Sequence, residues 1–177
     1  MFRTLLVRLI VPLVCICYGN SVWADESRYD QLGVFAGSYL CTAKATGGII
    51  YREGSDSWEG TSFFSETQYL LRLESTETIK GQDSEHPGLI YRVSIAEHGS
   101  NIGLDSSISR CKTNAGSPDI TISKRGGFLC RRSLTTFHIN LEDNRYLVVY
   151  PIGYVYFNEE SRNPDTPYIQ AGICSKL

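Results

Sequence analysis

Thr136-Phe137-His138-Ile139-Asn140-Leu141-Glu142 alternates polar and apolar side chains without a break. Successive side chains of a strand point to opposite faces, so this period of two specifies one wet face and one core face. The pattern spreads in both directions from this heptad. Downstream, Glu142-Asp143-Asn144 supplies turn chemistry before the long run 145–157, in which Pro151 and Gly153 suggest a bulge or two strands at an angle. Upstream, Gly126-Gly127 divides residues 120–124 from 128–133, which reads as a hairpin.

The same alternation recurs earlier. Tyr91, Val93 and Ile95 alternate with Arg92 and Ser94, while Tyr69, Leu71 and Leu73 alternate with Gln68, Arg72 and Glu74. Pro87-Gly88 precedes the run 89–96, Gly47-Gly48 separates 39–44 from 49–51, and residues 168–174 form a last strand. Residues 54–60, 75–87 and 158–167 read as polar connections, too short for domain linkers. Short strands joined by turns, without intervening helices, predict an all-β fold: one antiparallel barrel or sandwich of about eight to ten strands. Residues 25–36 carry the only helical signal. Ser27 and Asp30 resemble a capping box, Tyr29, Leu32 and Phe35 follow at helical spacing, and Gly33 and Gly37 keep the segment short.

Residues 1–24 have the zones of a cleaved secretory signal: Arg3 and Arg8, an apolar stretch over 9–18, and small residues ending at Ala24. A membrane-spanning helix needs about 20 apolar residues, more than this stretch holds, so no transmembrane segment is expected. Residues 25–177 then form a single domain. Without Arg3 and Arg8, 15 of the 17 basic side chains remain against 19 acidic ones, a net charge of −4. That balance argues against nucleic acid or an anionic membrane surface as partner.

Cys41, Cys111, Cys130 and Cys174 remain after cleavage. Four cysteines in an exported chain imply two disulfides, for which three connectivities exist. Gaps of 70, 19 and 44 residues do not suit zinc, which takes closely spaced pairs. The favoured pairing is Cys111–Cys130, bracketing the loop Asn114-Ala115-Gly116-Ser117-Pro118, with Cys41–Cys174 tying the first strand to the last, as barrel closure requires.

Motifs for chemistry are sparse. Gly-x-Ser-x-Gly, calcium loops and phosphate-cradling glycine runs do not occur. Ser109 and Lys112 fall at Ser-x-x-Lys spacing but in a strand, where the two side chains do not share a face. His86, His98 and His138 stand at no metal-ligand spacing. No catalytic residue, metal or cofactor is therefore assigned. Two groups are candidates for binding. Lys124, Arg125, Arg131 and Arg132 would converge on one ribbon if Gly126-Gly127 made a hairpin, and four cations there would suit an acidic partner or a phosphate. A solvated edge that discourages aggregation is the plainer reading. Tyr146, Tyr150, Tyr154, Tyr156, Phe157 and Tyr168 form an aromatic group able to line a barrel mouth or simply to fill the core. Trp58 is either a loop anchor or a contact residue.

Tyr39-Leu40-Cys41-Thr42, Gly47-Gly48, Trp58, Leu71-Arg72-Leu73, Gly153-Tyr154 and Gly172-Ile173-Cys174 together resemble small exported proteins of alphaproteobacteria that carry no assigned function. The resemblance implies a periplasmic or secreted setting and no activity. The Tyr-x-Cys opening is also similar to periplasmic lysozyme inhibitors, which are small disulfide-bonded β barrels. That similarity covers three residues and transfers no functional position. The expected function is a non-enzymatic binding module for a protein, an envelope glycan or a small envelope ligand. The alternatives are an envelope hydrolase with a site assembled from distant residues, or a structural or host-interaction protein.

Overall fold

A computed structural model of the chain describes residues 34–80, 88–152 and 166–177, with the side chains of 77–80 not described. Among the described residues, nine strands form: β1 (Gly37–Arg52), β2 (Ser57–Phe63), β3 (Gln68–Lys80), β4 (Gly88–Glu97), β5 (Asp119–Ser123), β6 (Gly127–Arg132), β7 (Thr135–Asn140), β8 (Arg145–Tyr150) and β9 (Tyr168–Lys176). Eight of them follow one another in the order β5-β4-β3-β1-β9-β8-β7-β6, every pair antiparallel, and β2 joins β1 off this path. The sheet curls into a nearly closed barrel. The helix expected over 25–36 falls mostly outside the described residues, and its last positions, Val34 and Phe35, form a turn.

Alternation decides what lies inside. Leu71 and Leu73 on β3, Tyr91, Val93 and Ile95 on β4, and Ile120 and Ile122 on β5 are all buried. On the opposite side Phe128 and Cys130, Phe137 and Ile139, and Tyr146 and Val148 are buried in the same way. Side chains therefore fill the barrel. Each large apolar one contributes about 1.5–3 kcal/mol by leaving water.

Both disulfides pair as expected: Cys41–Cys174 and Cys111–Cys130. They imply oxidising surroundings outside the cytoplasm. Their placement differs from the expectation in one respect. Cys41 and Cys174 are direct cross-strand partners on β1 and β9, which sit in the middle of the strand order. The seam of the barrel lies instead between the β4–β5 edge and β6, and Cys111–Cys130 spans it. Residues 109–112 stitch the two edges together. Ile95 N donates to Ser109 O at 2.8 Å and Cys111 N to Val93 O at 2.8 Å on the β4 side. Lys112 and Arg131 exchange N–H···O bonds of 2.9 and 2.8 Å on the β6 side. The Arg132 guanidinium adds a bond of 2.7 Å from Nη1 to Ile95 O.

Three expectations about connections need correction. Gly47-Gly48 is not a turn, because β1 runs through it with a register shift between Ala43 and Ala45. At Gly48 any Cβ would collide with Pro167 O and the Phe63 ring, so glycine there permits close approach of β9 and β2. Residues 57–63 form β2 rather than a loop. This strand pairs with β1 from Arg52↔Ser57 to Thr46↔Phe63 and has no fully buried residue, hence no apolar alternation to betray it. Finally, β3 continues past Glu74 to Lys80 with a register shift between Ser75 and Ile79.

Candidate functional site

The basic group does not assemble. β5 ladders with β4 and β6 ladders with β7, so Gly126-Gly127 turns the chain across the seam instead of closing a hairpin. Gly126 adopts φ +73°, and its carbonyl accepts from Leu141 N at 3.0 Å, packing this turn on the β7–β8 turn. Lys124 and Arg125 are exposed there, while Arg131 and Arg132 stand at the far end of β6, about 13 Å or more along the strand. Arg132 is engaged in seam closure and Arg131 is exposed beside it.

The aromatic group divides. Tyr146 is buried, its ring 6.0 Å edge-on from that of Tyr69, which meets Phe137 at 5.3 Å. Tyr150 and Tyr168 stack at 5.4 Å at the end of β8 and the start of β9. Tyr154, Tyr156 and Phe157 lie outside the described residues. Burial pushes the Tyr146 hydroxyl up to about 12 and raises Tyr69 too, with the Tyr168 hydroxyl beside each adding to the shift. Burial also raises Tyr39 and Tyr91. These phenols are neutral at ordinary pH: Tyr39 donates to Phe35 O and Tyr146 to Gln170 Oε1, while Tyr91 Oη accepts from Phe35 N. Trp58 rises on the β1–β2 ribbon against Tyr51, ring centroids 5.6 Å apart.

Among the described residues, nothing assembles a nucleophile with a base. Ser109 is fully buried and donates its hydroxyl to Gly103 O at 2.8 Å. His98 and His138 are exposed, and His86 lies outside the described residues. Among the described residues no group of histidine, cysteine and carboxylate side chains could hold a metal ion.

A feature that alternation alone does not locate is the outer wall of β1, β9 and β8. The register aligns Ala45, Ala171 and Leu147 in one rung and Gly47, Ile169 and Val149 in the next. Both rungs are apolar or glycine across three strands, and all point away from the core. Ile169 is 53% exposed, and Ile173 and Leu147 extend the patch at 44% and 37%. A groove of about 690 Å³ runs over this wall, bounded by Ile49, Tyr150, Pro151 and Pro167. An antiparallel sheet with one solvated face normally alternates apolar-in with polar-out. β8 and β9 break that rule. The signal was present in Leu147-Val148-Val149-Tyr150, an unbroken apolar run that marks a strand covered on both faces.

No protein-family model, no curated protein and no solved structure matches the chain.

Proposed function

We propose that the protein is a non-enzymatic binding module of the periplasm or the secreted fraction, delivered there by residues 1–24 as a cleaved leader. It grips an apolar surface of a protein partner through the outer wall of β1, β9 and β8. One observation carries the reading: two successive three-strand rungs of that wall are apolar or glycine and are half-buried to exposed, whereas the described side chains already fill the barrel interior. Contiguous apolar surface of this kind marks interaction sites on soluble domains. With the interior packed by the described side chains, the outer face is left to do the binding. The resemblance to small exported proteins without assigned function fits the same setting and adds no activity.

The test is capture from cell-envelope extract on immobilised, oxidised protein, with Leu147→Lys/Ile169→Asp in parallel. The wild type should retain one or more partners that the double variant loses while its thermal melt stays unchanged. Equal retention by a well-folded variant would remove the wall from the mechanism.

A further inference from the structure

We propose that the cleft over the outer face of β3 and β4 is an anion site, in which Arg72, Arg92 and Arg110 receive a small oxyanion, either a carboxylate or a phosphate. The site is independent of the apolar wall and shares none of its strands.

Register brings the three arginines together from distant parts of the chain. Arg72 is opposite Ser94, Glu74 is opposite Arg92, and Ser94 forms an isolated antiparallel bridge with Arg110. Residues 71, 73, 93, 95, 109 and 111 are buried, so their neighbours Arg72, Arg92, Ser94 and Arg110 share the outer face. The backbone bonds Ile95 N to Ser109 O and Cys111 N to Val93 O flank the Ser94–Arg110 pair. That makes it a non-hydrogen-bonded pair, the closer-spaced kind in an antiparallel ladder. One row thus reads Arg72, Ser94, Arg110, with Arg92 diagonal to Arg72. Leu104 and Asp105 wall the cleft on one side and Pro118 on another, enclosing about 350 Å³. Cys111, disulfide-bonded to Cys130, anchors the backbone beside Arg110.

Asp119 on β5 stands opposite Arg92 but makes no ion pair with it. Within the cleft, three guanidinium groups, which stay protonated at any ordinary pH, face two carboxylates, Glu74 and Asp105. Arg72 takes both: its Nη2 pairs with Asp105, and its Nε lies 3.6 Å from Glu74 Oε1 without making a hydrogen bond. Arg92 and Arg110 have no ion pair or side-chain hydrogen bond among the described residues. Asp105 is 92% exposed, so its hold on Arg72 is an exposed pair of small net value. An oxyanion entering the cleft displaces the Asp105 carboxylate, accepts paired N–H bonds from guanidinium forks, and reaches the Ser94 hydroxyl between Arg72 and Arg110.

The test uses the oxidised protein at constant, low ionic strength, titrated separately with inorganic phosphate and with acetate. Arginine side-chain N–H resonances and calorimetry supply the readouts. Saturable binding of at least one anion is expected, weakened tenfold or more in Arg92→Ala/Arg110→Ala and tightened several-fold in Asp105→Asn. Saturation by phosphate alone assigns a phosphate ligand, and comparable saturation by acetate assigns a carboxylate. Absence of saturation by either anion, or equal affinity in a double variant that melts like the wild type, would overturn the site. The Asp105→Asn arm separates a built site from general attraction to positive charge. A merely electrostatic effect would also favour that variant, but its response would keep rising without saturation and fade with added chloride.

Discussion

Gln170 carries a concentrated polar load at the barrel end. It is 2% exposed, accepts from Tyr146 Oη at 3.3 Å, and donates through Nε2 to Ser65 Oγ at 2.9 Å and Thr46 Oγ1 at 3.3 Å. One side chain thereby joins β8 and β9 to β1 and to the segment before β3. Gln170→Leu leaves the buried Tyr146 hydroxyl without its acceptor and the half-buried Ser65 and Thr46 hydroxyls without their donor, and a loss of about 1–3 kcal/mol is expected by urea unfolding of the oxidised protein. Gly172, two residues on, has a different constraint: a Cβ there would meet Thr42 O and the Tyr146 ring. Gly172→Ala should cost about 3 kcal/mol or more, read from the same unfolding midpoint. The buried phenols set the alkaline limit. Tyr39, Tyr69, Tyr91 and Tyr146 all ionise above the ordinary tyrosine value in the folded state. The unfolded chain releases those protons first, near pH 10, so the stability they contribute is complete below pH 10 and is lost as pH rises toward their folded values. Unfolding midpoints should hold up to about pH 10 and then decline through pH 12, with phenolate absorbance appearing alongside unfolding. Midpoints flat to pH 12 would contradict the buried placement of these hydroxyls.

At the scale of elements, the seam is the weak line of the barrel, since β5 and β6 face each other there without a ladder. Three devices compensate: the backbone bonds of residues 109–112, the Arg132 bond to Ile95 O, and the Cys111–Cys130 bridge. Replacing both cysteines of that bridge by alanine should cost about 3 kcal/mol, by the entropy of closing a short loop. The distinguishing readout is local: amide exchange should accelerate first at Lys112 and Arg131, while the β1–β9 ladder keeps its protection. Acceleration spread evenly over all strands would mean that the seam does not depend on this bridge. The other disulfide joins residues 133 apart inside an intact ladder. Its removal should cost more, about 5 kcal/mol in the same entropic account, and should loosen the sheet as a whole.

The whole molecule presents two surfaces that its alternation did not require, the apolar wall on β1, β9 and β8 and the arginine cleft on β3 and β4. Because Leu147 and Ile169 face outward, Leu147→Lys/Ile169→Asp should change stability by less than about 1 kcal/mol while abolishing partner retention. Most of the fold was legible in the chain. The heptad 136–142 lies in a strand plus its turn, the runs 89–96 and 168–174 became β4 and β9, and the expected pairing, one short-range bridge and one tying the first strand to the last, proved to be the one formed. β2 was illegible because a ribbon with no fully buried residue has no need of apolar alternation. The Gly126-Gly127 hairpin was a wrong expectation because adjacency along the chain does not ensure a ladder: β5 found its partner in β4, and the basic residues dispersed with it. By itself the amino-acid order determined which side chains turn inward, since a period of two leaves each strand only one way to bury its apolar set. Which strands became neighbours, and so which outward side chains met on one face, was decided only by the tertiary structure. Registers such as Arg72–Ser94–Arg110 and Gly47–Ile169–Val149 unite residues scores of positions apart, and no local pattern encodes a pairing that loop closure and core packing select together.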